Sequence, residues 1–443
     1  MWRRCACPEL SRLTSLGLLI SLLFAGSMWF YVEQILVPHQ KQYAAQHGIP
    51  RGNLSDLYPR WLGSRELLLH GRDPYSSEIT REIQAGYYGR VLDRGRTDDP
   101  KDEERFAYPV YVAFLLAPIV KLPFPLVQKV FTAALAALTV LVVLLWLRIL
   151  NWRASAGTKT IIVLLTLGSF GVVQGIKLQQ LTLLVAALVT AAVAALVSGM
   201  PAIAGLLIAL ATIKPQLALP LAGWLLLWSL ADVRARWKFI VSFLISMSVL
   251  LVGSHYLLSG WLVRFADAVM QYRRYTGGAG SVLDVLLSPA VGRVLAWLIV
   301  LLVATICWRE RHAAAVGEKF RRTSVLVLSA TVVIVPMTAP YNQIFVLPAI
   351  LLMVRILPAL WTAGSLYRIL LIICAASVLE PFLSAVALNA FAPFTPEETL
   401  LELWAVPLYT SLAIPVVVFS MLLVSFWLDH RGNKSAPATT RPA

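Results

Sequence analysis

Long apolar stretches separated by short clusters of charge repeat from one end of the chain to the other. Residues 14–36, 130–150 and 239–258 are three of them, each about the 20 or so residues that cross a hydrocarbon layer. Read along the whole chain, the pattern predicts about 12 transmembrane helices and an all-α, polytopic helical bundle. Two stretches do not fit a simple crossing. Residues 201–213 would give about 20 Å of helix, short of the roughly 30 Å core; Lys214-Pro215 then breaks the run, and residues 216–230 return. That pair is expected to hold Lys214 within the outer half of the membrane. Residues 108–122, bounded by Pro109 and Pro123, are also short and are predicted to enter the outer leaflet without crossing. Irregular backbone at such depth is tolerated only where protein or a water-filled cavity covers it.

The one long polar segment, residues 39–106, carries 11 acidic and 11 basic residues and is expected to be structured. Within it Leu57, Tyr58, Trp61, Leu62, Arg65, Leu68 and Leu69 recur at helical spacing, which predicts an interfacial helix lying on the membrane surface. Asn53, Ser55 and Asp56 precede this helix, and Gly71-Arg72-Asp73-Pro74-Tyr75 ends it with helix breakers. Asp56 has two readings. It is either an N-cap, a position that Asp favours, or a carboxylate held where lipid headgroups meet water. Asp73 before Pro74 reads as a turn residue. Residues 98–104, with Arg94, Arg96 and Lys101 around them, read as a solvated surface.

Composition fixes the solvent. A mean hydropathy of +0.74 and 58% hydrophobic residues are too apolar for a water-soluble domain. The segments expected inside hold 19 Lys and Arg against 5 Asp and Glu, which leaves 19 basic and 18 acidic residues elsewhere. The formal +15 therefore reflects membrane topology and anionic lipid headgroups, and no nucleic-acid partner is implied. Arg3, Arg4 and Arg12 precede the first helix without a small-residue cleavage site after it, so a retained signal anchor is expected. The expected organisation is residues 1–37 as N-terminus and anchor, 38–123 as first outer loop, 124–428 as the bundle and 429–443 as a disordered cytoplasmic tail. Cys5, Cys7, Cys307 and Cys374 have no partners at metal spacing, so no disulfide or metal site is expected. No G-x-x-x-x-G-K-[ST], H-E-x-x-H or G-x-S-x-G motif occurs, which removes support for nucleotide hydrolysis, zinc proteolysis and serine hydrolysis.

Polar residues beside the apolar stretches fall on one side of this map: Gln174, Lys177, Gln179, Gln180, Lys214, Gln216, Asn342, Gln343 and Glu380. Ionisable groups are costly in a membrane and mark a functional cavity by default. Against that, Gln179, Gln180 and Glu380 could simply cap helix ends or snorkel to headgroups. Lys214 sits too deep for easy snorkelling.

With these residues in place, the chain resembles the polytopic glycosyltransferases of the GT-C superfamily, and within them glycosyltransferase family 87, the polyprenol-phosphate-mannose-dependent α-mannosyltransferase-like group. The resemblance rests on Ser55-Asp56-Leu57-Tyr58, on Leu67-Leu68-Leu69-His70-Gly71-Arg72-Asp73-Pro74-Tyr75, on Tyr108-Pro109 with Ala117-Pro118 and Leu122-Pro123, on Gln179-Gln180-Leu181-Thr182, and on Lys214-Pro215. It implies a multi-pass protein of a bacterial cytoplasmic membrane, moving a hexose such as mannose from a polyprenyl-phosphate sugar to a lipid or glycan acceptor on the extracytoplasmic face. Asp56 matches the first-loop acid that serves as general base. Lys214 is the candidate cation for the leaving phosphate, with Lys177 or Arg60 as substitutes, and Gln180, Tyr75, Asn342 and Gln343 complete the substrate-binding candidates. No cofactor or metal is implied; the lipid-linked donor is a co-substrate. Many relatives carry an aromatic and histidine-rich stretch at the outer end of a late helix, where this chain has Ala339-Pro340-Tyr341-Asn342-Gln343, so either Asn342 or Gln343 takes that part in donor binding or the chain uses a different sugar or acceptor. Two other classes fit the composition: a flippase or transporter of a lipid-linked glycan, which calls for repeat symmetry, and an O-antigen ligase or polymerase type of enzyme, which calls for a large late outer loop.

Overall fold

The computed structural model describes residues 8–46, 48, 55–93, 95–97, 99–100, 102–275, 280–336, 338–395, 399 and 403–432. Asn53, Arg94, Asp98, Lys101, Arg3, Arg4, Cys5, Cys7 and the tail from residue 433 lie outside them, as does the side chain of Arg12. The described residues contain helices and no β-strand. Helix α1 (Pro8–Tyr31) passes through one π-helical turn (Val32–Leu36) into α2 (Val37–Gln46), so the first helix runs on beyond the end that hydropathy predicts. The segment between α2 and α6 supplies α3 (Tyr58–His70), α4 (Ser77–Tyr88) and the short α5 (Val112–Leu116). Next come α6 (Phe124–Ile149), α7 (Ala156–Leu167), α8 (Phe170–Lys177), α9 (Leu181–Val197), α10 (Pro201–Ala211), α11 (Pro215–Leu230) and α12 (Val233–Leu257). Then follow α13 (Trp261–Tyr275), α14 (Val282–Leu286), α15 (Pro289–Glu310) and α16 (Glu318–Ile334), and after a 3-10 turn (Pro340–Val346) α17 (Leu347–Arg355), α18 (Leu357–Thr362), α19 (Ser365–Phe391), α20 (Val406–Ser411) and α21 (Ile414–Gly432).

Among the described residues six helices are long and apolar enough to cross a membrane, or seven if α7 and α8 form one span bent by 62°. About 12 full-length spans are not shown; further apolar runs among the described residues form helices of 10–17 residues: Leu181–Val197, Pro201–Ala211, Pro215–Leu230 and Pro340–Arg355. The break at Lys214-Pro215 falls where it was predicted, between α10 and α11. Proline there sits at the first helical position of α11, where its missing N–H costs nothing.

Helix α3 differs from the prediction in what covers it. Leu57, Trp61 and Leu67 are buried in the main core, and Trp61 Nε1 donates to Ile119 O at 3.2 Å. Helices α4 and α5 pack on it, so much of the face predicted for the membrane surface lies against protein. It ends at Gly71, whose φ of +65° is the left-handed value that favours glycine at a helix C-terminus. Asp73 makes the expected turn, its Oδ1 accepting from Tyr75 N at 2.9 Å.

Candidate active site

Four stretches meet at one place: the residues before α3, the turn at 178–180 between α8 and α9, the turn at 212–214 between α10 and α11, and Val335, Pro336, Tyr341 and Asn342 after α16. Together with Asp102, Glu104 and residues 107–109 and one side of α13 they line a cavity of about 780 Å³. Backbone that would be intolerable against lipid is thereby placed against a polar cavity. Its wall carries Asp56, Arg60, Asp102, Glu104, Tyr108, Gln180, Lys214, Gln216, Tyr272, Arg273, Tyr341 and Asn342, while Leu262, Phe265, Ala266, Val269 and Met270 of α13 give it an apolar side.

Asp56 does not cap α3. The N-cap is Leu57, without any side-chain bond, and the Asp56 carboxylate instead accepts from Gln180 Nε2. Its backbone is fixed at both ends: Asp56 N donates to Leu178 O at 2.9 Å, and Asp56 O accepts from Arg60 Nη1 at 2.8 Å. Burial raises the Asp56 carboxyl above its ordinary range, opposed by the positive Arg60 and Lys214. Lys214 is 6% exposed; its ammonium donates to Gln180 Oε1 at 2.9 Å and to Thr182 Oγ1 at 2.7 Å, and lies 5.2 Å from the centre of the Tyr341 ring. A buried ammonium held by neutral acceptors and an aromatic face, opening onto a cavity, is ready to receive an anion.

The candidate cations separate by their partners. Lys177 is paired with Glu33 and does not line the cavity. Arg60 lines it but is occupied: besides Asp56 O, its guanidinium lies 3.8 Å from Glu104 Oε2 and over the Tyr108 ring. Asn342 lines the cavity, its Oδ1 accepting from Thr182 Oγ1 at 3.3 Å, whereas Gln343 turns away and donates to Ser411 O at 2.8 Å. Tyr75 supports from behind: its hydroxyl donates to Tyr108 O at 2.5 Å and its ring packs edge-on against Phe106. Gln179 pins the turn at 178–180, its Nε2 donating to Lys177 O at 2.7 Å and Ile176 O at 3.0 Å. Glu380 sits in α19 and Gln174 in α8, away from the cavity wall.

Residues 98–104 correct the reading as a solvated surface. Asp102 and Glu104 face the cavity, while Glu103 and Arg105 face a separate groove of about 650 Å³ on the other side of the same stretch. Helix α4 holds the stretch inward: Tyr88 Oη donates to Asp102 O at 2.6 Å and Gln84 Nε2 to Glu103 O at 3.1 Å. Burial raises the Asp102 carboxyl and, with Asp102 and Asp56 facing it, lifts Glu104 well above the carboxylate range. Glu104 and Gln179 have φ of +47° and +49°, a conformation that costs a residue with a side chain about 1–2 kcal/mol. Both flank the cavity, and such strain persists where surrounding structure over-determines it. Among the described residues, no group of three or more His, Cys, Asp or Glu is placed to hold a metal ion.

The chain matches the family model for glycosyltransferase family 87 over residues 106–336, just over half its length. The matched stretch contains Tyr108, Gln180, Thr182, Lys214 and the cavity-facing side of α13; Asp56 precedes it and Tyr341 and Asn342 follow it. No curated protein and no solved structure gives a match. An acid and a cation meeting in a cavity with one apolar side, inside a helical membrane protein, agree with that match: the chain belongs to glycosyltransferase family 87 and is a membrane glycosyltransferase.

Proposed function

We propose that this protein transfers a hexose, mannose being the family's precedent, from a polyprenyl-phosphate sugar to a lipid or glycan acceptor on the extracytoplasmic face of a bacterial cytoplasmic membrane. The observation that carries the reading is the line Asp56, Gln180, Lys214 along the wall of the 780 Å³ cavity, opposite the apolar side of α13. In the reaction the acceptor hydroxyl oxygen attacks the anomeric carbon, its proton passes to the Asp56 carboxylate, and the bond from that carbon to the phosphate oxygen breaks. The charge left on the lipid phosphate is met by Lys214. A positioned carboxylate contributes about 10²–10⁴-fold to such a transfer, and a buried cation at the leaving group adds electrostatic stabilisation where water cannot screen it. The apolar wall suits the first isoprene units of a lipid donor, and no motif for holding a nucleotide is present in the sequence.

The test is reconstitution in liposomes with a panel of labelled polyprenyl-phosphate sugars and a membrane-extracted acceptor pool. A labelled, covalently changed acceptor with one hexose donor is expected. Movement of lipid-linked glycan across the bilayer without a new glycosidic bond, or turnover with a nucleotide sugar alone, would overturn the reading.

A further inference from the structure

Gln180 is the N-cap residue of α9, yet its side chain makes no capping bond. It is 3% exposed, and its amide is committed at both ends: nitrogen to the Asp56 carboxylate, oxygen to the Lys214 ammonium. That orientation is the one the partners require, since a carboxylate only accepts and an ammonium only donates. The turn that presents it is fixed by Gln180 N donating to Gly175 O at 2.8 Å and by the left-handed backbone of Gln179. One N–H and one carbonyl lone pair of the amide are thus engaged on the acid and the cation, which fixes the orientation of the side chain between them.

We propose that Gln180 is a positioning residue, resting on the reading of Asp56 as base: it holds the acid and the cation at fixed separation and, by donating to the carboxylate, keeps Asp56 ionised at working pH. Arg60 from α3 and Lys214 from the turn before α11 also favour the ionised form, while Asp102 opposes it. Glu104 beside Asp102, Tyr87 of α4, Tyr272 of α13 and Tyr341 after α16 are the other titratable groups that face the same carboxyl. Burial already works against the charge, so loss of one donor should be felt directly in proton affinity.

Two variants test the role. Gln180→Met loses both bonds; Gln180→Glu keeps an acceptor for Lys214 but replaces the donor to Asp56 with a negative charge. In the full-length protein in detergent, the pH dependence of carbodiimide labelling of Asp56 is read by peptide mass spectrometry, alongside the pH profile of sugar transfer. Gln180→Met is expected to move the Asp56 labelling midpoint and the acidic limb of kcat/KM up by roughly one pH unit and to raise the donor KM. Gln180→Glu is expected to move both midpoints further and also to raise the donor KM, because its carboxylate pairs with Lys214 and stands beside the lipid phosphate. An unchanged labelling midpoint in the two variants, with both folded by thermal unfolding, overturns the proposal; should Gln180→Met fail to fold, an unchanged midpoint in Gln180→Glu does so alone. Midpoints that shift as expected in a protein that transfers no sugar would uphold Gln180 as the residue tuning Asp56 and remove the glycosyl-transfer reading instead.

Discussion

Lys214 stands one side chain away from Asp56: its ammonium donates to Gln180 Oε1 at 2.9 Å, and the other end of the same amide donates to Asp56 Oδ2. The two charges come from distant parts of the chain, one from just before α3 and one from the break between the short apolar helices α10 and α11. Their meeting puts an acid and a cation side by side on the cavity wall, the arrangement that the proposed transfer requires.

Lys214→Ala should raise the donor KM by about tenfold or more and cut kcat about 10²-fold, with the acceptor KM unchanged. Steady-state kinetics with each substrate varied in turn checks this. An unchanged donor KM would count against Lys214 as the phosphate cation.

The pH dependence follows from burial of the acids. Asp56 serves as base only when ionised, and burial lifts its carboxyl, so kcat/KM should fall as pH drops through a midpoint above the ordinary Asp value of about 4. Asp102→Asn removes a negative charge that raises Asp56, and should shift that midpoint down by roughly half a unit. Stability moves as well. A carboxyl whose folded pKa is raised favours the folded state most when protonated, so its contribution is lost as pH rises from the unfolded value through the folded one. Asp102→Asn should therefore raise Tm at pH 7 by about 1–3 °C.

Legibility in the sequence varied with how local the cause was. The break at Lys214-Pro215 was readable because a charge and a proline stand together in an apolar run. The 62° bend between α7 and α8 was not, since Gly168-Ser169 carries neither. Asp102 and Glu104 were misread because a run of acids looks the same whether water or protein covers it. What turns them inward is the Tyr88 hydroxyl and the Gln84 amide, bonding to backbone carbonyls from another helix. Asp56 sat between two readings until its carboxylate was seen on Gln180 and off the helix end.

Lys177→Ala should leave transfer within twofold of the parent. Lys177 is 33% exposed, pairs with Glu33 and is not part of the cavity wall, and such pairs contribute at most about 1 kcal/mol. A loss greater than tenfold in a folded protein would mean that the anion site extends to α8.

Gly171→Ala should lower Tm by several degrees and reduce transfer. A Cβ at Gly171 would lie 2.2 Å from Pro340 O, a backbone atom that cannot swing aside, so α8 and the turn carrying Tyr341 and Asn342 must separate. Overpacking of this kind costs about 1–3 kcal/mol. Thermal unfolding in detergent and a transfer assay on the same preparation check both effects.

The most direct measurement is single-turnover sugar transfer by Asp56→Asn in liposomes, with binding of the polyprenyl-phosphate donor followed separately. The amide keeps the size of the side chain but cannot take a proton from a hydroxyl. Transfer is expected to fall by about 10²–10⁴-fold with donor binding near the parent value. Transfer within a few-fold of the parent would contradict the account and remove Asp56 as the base.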